Sequence, residues 1–328
     1  MLSVSTYASQ LMTLTNIQRN QSDYDTLSRQ VASGVKSSDL ADYGAVDAGR
    51  LLTGQQEVQR LEAYNQGIDV VTPRLKAYDL QLSRMDDLSK MVADALSMQD
   101  SYDGAKLAEV GTLIDNTLKD LNALLNEQID GRYLWAGGNY TTAPVADLST
   151  LPILATPTAF AAVADPALPD YYAAAPGSDA TAWVKASFSP ETGKTVEFGQ
   201  VASDPSIQEM IHALQLAKSG LDAAAAATDT DAAQAAYAAF RSQALTELTE
   251  AREGIQGLNA HVSYDLATLD DSAAANTAAI NLFKDEKGKI VDIDTAEAGV
   301  ALTRLKTQLE ATYSITAQLA QTSLVNYL

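Results

Sequence analysis

The sequence has 328 residues, of which 46% are hydrophobic and 6% aromatic, and its formal net charge is −20 at pH 7. An acidic surface repels phosphate backbones and anionic lipids, so we expect neither nucleic acid nor membrane as a partner. The chain has no cysteine and only two histidines, which excludes disulfides, Cys-ligated zinc and thiol nucleophiles.

The first predicted element is a helix within residues 1–33. Its apolar side chains recur at helical spacing, in the order Leu11, Leu14, Ile17, Tyr24, Leu27 and Val31. Small residues from Ser33 to Ser38 then interrupt the pattern, as a loop does. The N-terminus lacks the basic and continuously apolar regions of a secretory signal, so we expect a chain exported without a cleaved signal peptide or retained in the cytoplasm.

The second element carries the clearest periodic signal of the chain. Steps of three and four residues join Leu61, Tyr64, Ile68, Val71, Leu75, Tyr78, Leu82, Met85, Ser89, Val92 and Leu96. This spacing predicts a long helix whose apolar face packs on a partner helix. Pro73 lies inside the pattern and predicts a kink or a break.

A turn at Asp100–Gly104 is predicted to lead into a third helix, from about Lys106 to Ile129. The apolar side of this helix is formed by Leu107, Val110, Ile114, Leu118, Leu121 and Leu125. Asp130 and Gly131 are expected to end the helix, because glycine is the usual residue after a helix C-terminus.

Residues 137–205 differ from the rest of the chain because they hold eight of its nine prolines. Apolar residues at 183–188 and 196–198 flank the turn-forming segment Ser189–Gly193. This arrangement predicts a β-hairpin, and residues 143–180 are expected to form a long irregular loop of the same small domain.

Helices are predicted again at about Ser206–Gly220 and 232–285, joined by a linker at Ala223–Asp231. A short break is expected at Lys287–Lys289. The last helix begins near Thr295 and is capped by Asp294 or Thr295. Its heptad positions are Ala298, Leu302, Leu305, Leu309, Thr312, Thr316, Leu319 and Ser323.

These elements predict a mainly α fold: a long antiparallel coiled-coil rod formed by the N- and C-terminal regions, with a small β-containing inserted domain. We expect boundaries at 1–36, 37–136, 137–205, 206–290 and 291–328. Half of the last heptad is small or hydroxylated, so a single pair of end helices buries little apolar surface. The end helices should therefore be largely unfolded in the free monomer and become ordered when neighbouring copies cover them.

Motifs for catalysis and cofactor binding are incomplete. Gly193-Lys194-Thr195 resembles the end of a phosphate-binding loop, but Phe188 stands where that loop needs glycine. A calcium loop starting at Asp285 would place lysines at ligand positions, and neither His212 nor His261 has partners at zinc-site spacing. We therefore predict a non-enzymatic protein without a metal or cofactor, with both histidines at surface or interface positions.

Four segments carry a family resemblance. They are Leu27–Ser38 (LSRQVASGVKSS), Gly131–Gly138 (GRYLWAGG), Asp292–Ala298 (DIDTAEA) and Ser323–Leu328 (SLVNYL). In this order, and at both chain ends, they resemble the flagellin superfamily and, within it, the proteins that join the flagellar hook to the filament. The sequence departs from the family at Leu40–Gly44, where Asp-Asp-Pro is common, and at Pro73.

The resemblance implies a structural subunit that is exported unfolded by the flagellar type III apparatus and becomes part of the extracellular flagellum. It implies a homo-oligomeric ring whose partners are the hook-side junction protein, the filament flagellin and an export chaperone. The 137–205 domain would project outward. The expected assembly interface comprises Leu11, Leu14, Ile17, Leu27, Val31, Leu302, Leu305, Leu309, Thr312, Thr316, Leu319, Leu324, Tyr327 and Leu328.

Two alternatives stay open from the sequence. A filament flagellin shares the paired end helices, although Gly131–Gly138 and the Tyr327-Leu328 ending favour a junction protein. A coiled-coil signalling ectodomain is the more distant alternative, since such a protein requires a membrane span or an output domain, and no stretch of 18 consecutive apolar residues occurs.

Overall fold

The computed structural model describes residues 2–101, 103–173 and 178–325, and gives only the helix backbone at 2–7, 9–10 and 319–325. Within these residues the helices are α1 (Leu2–Ser33), α2 (Gly44–Met98), α3 (Gly104–Leu125), α4 (Pro205–Ala225), α5 (Thr230–Val291) and α6 (Thr295–Val325). The strands are β1 (Gln128–Ile129), β2 (Arg132–Tyr133), β3 (Ser187–Phe188) and β4 (Val196–Glu197). The prediction of a mainly α fold with a small β-containing insert is confirmed.

The chain forms two compact units. One comprises Met1–Arg60 together with Ala278–Leu328, and the other comprises Leu61–Thr277. Helices α2 and α5 contribute residues to both units.

The core of the Leu61–Thr277 unit follows the predicted apolar faces. The α2 pattern is buried from Ile68 to Leu96, and all six predicted apolar positions of α3 are buried. The facing side of α5 buries Leu248, Ile255, Val262 and Leu269. Burial of these side chains is the main stabilising contribution, at about 1.5–3 kcal/mol for each large apolar residue.

Helices α2 and α5 run antiparallel within this unit, as polar pairs along their length demonstrate. Arg252 Nε lies 3.1 Å from Asp86 Oδ1, and Asn259 Nδ2 donates to Ser83 Oγ at 3.1 Å. Further along, Asn276 Nδ2 donates to Asn65 Oδ1 at 3.0 Å. As the residue number rises on α5, the number of its partner on α2 falls.

Two helix breaks expected from the sequence, at Pro73 and at Lys287–Lys289, are absent from the described residues, while the alternative of a kink at Pro73 stays a prediction. Helix α2 continues through Pro73, which lies on the exposed side between the buried Val71 and Leu75. Water can therefore reach the carbonyl that the proline leaves without an amide donor. Helix α5 likewise continues through Gly288 to Val291, because one glycine costs a helix only about 1 kcal/mol.

The segment Asp130–Gly131 is a hairpin turn and not the end of α3. Helix α3 ends at Leu125, and β1 pairs antiparallel with β2, with Ile129 opposite Arg132. Both turn residues have positive φ, 53° for Asp130 and 73° for Gly131, as a two-residue turn of type I′ requires. An Asp-Gly pair fits this turn as well as it fits a helix stop.

The hairpin predicted in the insert is confirmed at Ser187–Phe188 and Val196–Glu197. Strand β3 pairs antiparallel with β4, with Phe188 opposite Val196. Phe188 packs so closely on α2 that a Cβ at Gly67 would lie 2.3 Å from its ring. Trp183 lies outside the strand, in a 3-10 turn at Ala180–Trp183.

An irregular segment of the insert, residues 152–163, is bound to helices by polar side chains. Gln208 of α4 accepts from the amide of Val163 and donates to its carbonyl, both at 2.8 Å. Ser219 Oγ accepts from Leu154 N at 2.9 Å, and Glu247 Oε1 accepts from Phe160 N at 2.8 Å. These buried side chains supply the hydrogen bonds that a sheet would otherwise provide.

Candidate assembly interface

The segment that follows α1 contacts the junction between α5 and α6. The Val35 backbone forms an antiparallel bridge with Asp292, in which Lys36 N donates to Val291 O at 2.8 Å and Ile293 N donates to Gly34 O at 3.0 Å. The family motifs Leu27–Ser38 and Asp292–Ala298, although far apart in the sequence, therefore form one structural element.

Each helix at this junction has a defined end. Helix α1 ends at Ser33, and Gly34 forms a left-handed C-cap: its φ is 76°, and its N–H donates a hydrogen bond to Gln30 O at 2.8 Å. Helix α6 begins after Asp294, whose Oδ1 accepts from the amides of Ala296 and Glu297 at 2.9 and 3.0 Å. Of the two residues predicted to cap the last helix, Asp294 and Thr295, Asp294 provides the cap.

Helix α6 packs antiparallel on α1, and the contact buries part of each predicted apolar face. Gln21 of α1 donates a side-chain hydrogen bond to the hydroxyl of Tyr313 on α6. Ile17, Ala298 and Leu309 are buried. Most of the other predicted interface residues are half-buried, namely Leu27, Val31, Leu302, Leu305, Thr312 and Thr316.

The hydroxyl groups on this face of α6 are bonded within the helix. Thr312 Oγ1 donates to Gln308 O at 2.6 Å, and Thr316 Oγ1 donates to Thr312 O at 2.7 Å. A threonine bonded in this way satisfies its polar atom locally and can present its methyl group to a neighbour. Threonine is therefore compatible with a half-buried position here.

The outer part of α1 remains uncovered by α6. Leu11 and Leu14 keep 55% and 54% of their surface exposed, although the sequence pattern places them in line with the buried Ile17. The predicted side-chain contacts of Leu319 and Leu324, and the structure of Tyr327 and Leu328, lie outside the described residues. The structure thus brings together only part of the predicted interface.

Other exposed apolar side chains were not predicted from the sequence. Met12 on α1 and Val300 on α6 are 72% and 73% exposed, and Tyr313 and Ile315 are also exposed. They lie outside the heptad positions Ala298, Leu302, Leu305 and Leu309, so the heptad count did not include them. Large apolar side chains exposed on both end helices form a surface that further copies can cover.

Another family motif, Gly131–Gly138, anchors the start of the insert. Trp135 is fully buried, and its Nε1 donates to Gln81 Oε1 at 2.6 Å. Gln81 Nε2 donates in turn to Glu127 Oε2 at 2.6 Å. The Trp135 ring meets that of Tyr78 edge-on at 5.3 Å, and burial raises the pKa of Tyr78 to about 12.

The backbone conformation and close packing at position 137 of the same motif require glycine. Its φ is 59°, and a Cβ on it would lie 2.7 Å from Ala182 O. Only glycine fits this close approach between two backbone segments. The motif therefore fixes the point where the chain leaves the helices for residues 137–205.

The two histidines have different surroundings. His212 Nδ1 lies 2.6 Å from Oε2 of the buried Glu247, whereas His261 is largely exposed and lies 3.7 Å from Asp265. Close to His212, burial and a hydrogen bond to Glu250 raise the pKa of Glu209 to about 7. The cluster joins α4 to α5 and has the geometry of a structural contact.

The described residues contain no cluster of three or more side chains suited to holding a metal ion. Among the described helices, none is long and apolar enough to cross a membrane.

Comparison with known protein families identifies the class. The model of the bacterial flagellin N-terminal helical region matches residues 4–140, and that of the bacterial flagellin C-terminal helical region matches residues 242–328. Together the two models cover more than half of the chain, and they define a helical structural protein of the flagellin type. The chain belongs to the bacterial flagellin family. It is a structural, non-enzymatic subunit of the flagellum.

Two solved structures match this chain at low sequence identity. A Vibrio parahaemolyticus protein described as flagellar hook-associated shares 14% identity with a TM-score of 0.49, over 76% of this chain and all of that chain. Bacillus cereus FlgL shares 13% identity with a TM-score of 0.30, over 79% of this chain and all of that chain. A search of curated proteins gives no significant match. Similarity at this level does not specify a function.

Proposed function

We propose that this flagellin-family chain is the adaptor that joins the flagellar hook to the filament, the role of the proteins called hook-associated protein 3. The observation that carries the proposal is the arrangement of the end helices. Helix α1 packs on α6, yet Leu11 and Leu14 remain more than half exposed. Exposed leucines on a terminal helix lose contact with water when another subunit covers them.

The proposed assembly unit is a ring of identical subunits whose paired end helices, 1–36 and 291–328, line the inner tube. Segments 37–136 and 206–290 form the helical rod domain around it, and residues 137–205 project outward. In this arrangement the exposed apolar residues of α1 and α6 contact neighbouring copies. The contact includes Leu319, Leu324, Tyr327 and Leu328, as the sequence predicts.

The proposed partners are the hook-side junction protein on one side and the filament flagellin on the other. Export proceeds with the chain unfolded, through the flagellar type III apparatus and without a cleaved signal, and an export chaperone covers the end segments beforehand. End helices with little buried apolar surface favour such a route, because they unfold at low cost.

Electron microscopy of flagella that carry an epitope-labelled copy of this protein tests the adaptor role. The label belongs in the exposed turn around Gly193, which has a φ of 84° and no atom within 4 Å of the position that a Cβ would take. A single band of label between hook and filament supports the proposal. Label along the whole filament would identify a filament flagellin instead.

Deletion of the gene provides the second test. An adaptor is required for filament attachment but not for hook growth, so the deletion strain should build hooks and release filament protein into the medium. Attached filaments of normal length in that strain would refute the adaptor role.

A further inference from the structure

A cavity of about 90 Å³ lies in the Leu61–Thr277 unit, beside the Gly131–Gly138 motif. Helix α2 contributes Arg74, strand β2 contributes Arg132, and Gln200 lies in the segment that precedes α4. The cavity opens to solvent where Arg132 and Tyr140 are exposed. Neither the assembly interface nor the proposed adaptor role involves these residues.

Two polar atoms at this cavity are buried without a hydrogen-bond partner among the described residues. They are Nε of Arg74 and Oε1 of Gln200, the latter on a side chain that is only 4% exposed. Buried polar groups are nearly always hydrogen-bonded, and each exception calls for an explanation. Arg74 Nε is a donor and Gln200 Oε1 an acceptor, so each lacks a partner of the opposite kind.

The positive charge of the two arginines that line the cavity is not neutralised by ion pairs among the described residues. Within the described part of the chain, neither Arg74 nor Arg132 forms an ion pair, whereas Arg84 pairs with Asp120 at 3.3 Å. The guanidinium of Arg132 lies 4.5 Å from the centre of the Tyr140 ring, and both residues line the cavity. Two unpaired arginines in a chain of net charge −20 attract an anion.

The other residues that line the cavity indicate which kind of anion fits it. Ile129, Val184 and Phe198 give the cavity an apolar side, which suits carbon atoms and not a fully hydrated inorganic oxyanion. Arginine recognises carboxylates through its planar fork of N–H donors. We infer that this cavity is a binding pocket for a carboxylate carried on a small organic group, with Arg74 and Arg132 as the anion-binding residues and Gln200 as acceptor for a neighbouring N–H.

Nuclear magnetic resonance on the full chain, labelled with ¹⁵N-arginine, tests the pocket directly. Sodium acetate is the probe, and sodium chloride at equal ionic strength is the reference. Acetate should shift the Nε–H resonances of Arg74 and Arg132 in a saturable manner, with a Kd in roughly the millimolar range for so small a ligand. The Nε–H of Arg84 should not move. Equal shifts with chloride, or no saturation, would overturn the inference.

Variants at the exposed Arg132, compared with a control variant at Arg84, test the assignment of the pocket. Arg132→Gln should weaken acetate binding about tenfold or more, and Arg132→Lys should retain an intermediate affinity because it keeps the charge but loses the fork. Arg84→Gln removes the same charge from a position outside the pocket and should bind acetate as the unmodified chain does. An unchanged affinity in Arg132→Gln refutes the assignment, and tighter binding of inorganic phosphate than of acetate refutes the carboxylate.

The carboxylate can come from a free small molecule or from an Asp or Glu side chain of a second copy. Sedimentation velocity on the full chain distinguishes these sources. If a second copy supplies the group, acetate weakens self-association relative to chloride, and Arg132→Gln weakens it equally. If a free molecule supplies it, self-association is the same in both salts while saturable acetate binding persists. Both results uphold the pocket and identify its occupant, and neither depends on the adaptor role.

Discussion

The ammonium group of Lys36 lies 2.7 Å from the carbonyl oxygen of Ile290, 254 positions further along the chain. It also lies 3.5 Å from the carbonyl of Lys289. The last carbonyls of a helix have no amide partner within it, so a lysine from the loop after α1 completes the end of α5. This contact fastens the N-terminal segment to the point where α6 begins.

Replacement of this lysine should loosen the chain ends. Lys36→Met removes one charge-assisted hydrogen bond, worth about 1 kcal/mol at a solvent-accessible position, which corresponds to roughly fivefold more frequent local opening. Hydrogen exchange at the amides of Lys36 and Ile293, which bond across the junction, should accelerate accordingly. Lys306→Met, on an exposed position of α6, is the control, and equal acceleration by both variants would contradict the role of Lys36.

A charge on the α1–α6 contact should prevent assembly without unfolding the rest of the chain. Leu305 is half-buried there, and Leu305→Asp would require a carboxylate to lose water without a partner. We expect normal melting of the Leu61–Thr277 unit within about 1 °C, together with loss of assembly and motility. Gln308→Asp, at an exposed position of α6, should leave the α1–α6 contact within the monomer intact. Normal swimming of the Leu305→Asp strain would refute the interface.

The purified monomer should lose its ends first in limited proteolysis. The α1–α6 contact buries few large side chains, whereas the Leu61–Thr277 unit has an extended apolar core, so local opening is expected at the ends. A brief protease treatment should remove about 30–40 residues from each end and spare the centre. The measurement is mass spectrometry of the fragments, and full protection of Leu302–Leu328 in a confirmed monomer would contradict the prediction.

The buried network at Trp135 should make a large contribution to stability. Gln81→Leu leaves the indole N–H of Trp135 and the carboxylate of Glu127 without their present partner, a loss of about 2 kcal/mol. The melting temperature should fall by roughly 4–8 °C. The double variant Gln81→Leu, Trp135→Phe has no orphaned indole donor, so its loss should be smaller than the sum of the two single losses. Strict additivity would show that the hydrogen bond contributes little.

The stability of the α4–α5 contact should depend on pH through Glu209. Its pKa is raised from 4.5 to about 7, first by burial and then by Glu250, so the native state binds more protons than the unfolded chain between these values. Stability therefore falls as pH rises through this window. His212 opposes the shift by attracting the carboxylate, whereas Glu247 adds to it.

The corresponding measurement compares melting temperatures at two pH values. Glu209→Gln should melt at about the same temperature as the unmodified chain near pH 4, and about 1–2 °C higher at pH 8. Glu253→Gln, at an exposed position of α5, is the control and should change little at either pH. A similar gain for Glu209→Gln at both pH values would exclude titration as the cause.

The helices of the Leu61–Thr277 unit were predictable because their apolar periodicity coincides with their buried faces. The residues from Ile68 to Leu96 on α2 illustrate this. The predictions of helix ends were wrong where the same residue type, glycine, occurs both at helix ends and in other structures. Asp130-Gly131 forms a hairpin turn instead of a helix stop, and Gly288 is accommodated inside α5, because local propensity is weaker than the surrounding packing.

Buried polar residues were not predictable. Gln81, Gln208 and Glu247 are polar residues within helical segments, and their spacing gives no sign that they face the interior. Each is buried because a backbone or side-chain partner from a distant segment meets it, as Trp135 meets Gln81. A contact between residues far apart in the sequence leaves no periodic signal.

The sequence by itself determined the helical class, the insert between the end helices and the family, because periodicity, proline content and short motifs are properties of neighbouring residues. The tertiary structure alone decided that the motifs at Leu27–Ser38 and Asp292–Ala298 form one junction, and that Ile17 is buried while Leu11 and Leu14 remain exposed. The apolar positions of α1 recur at helical spacing on both sides of the polar Asn20 and Gln21, but burial depends on which segment lies opposite, and only the folded chain determines that.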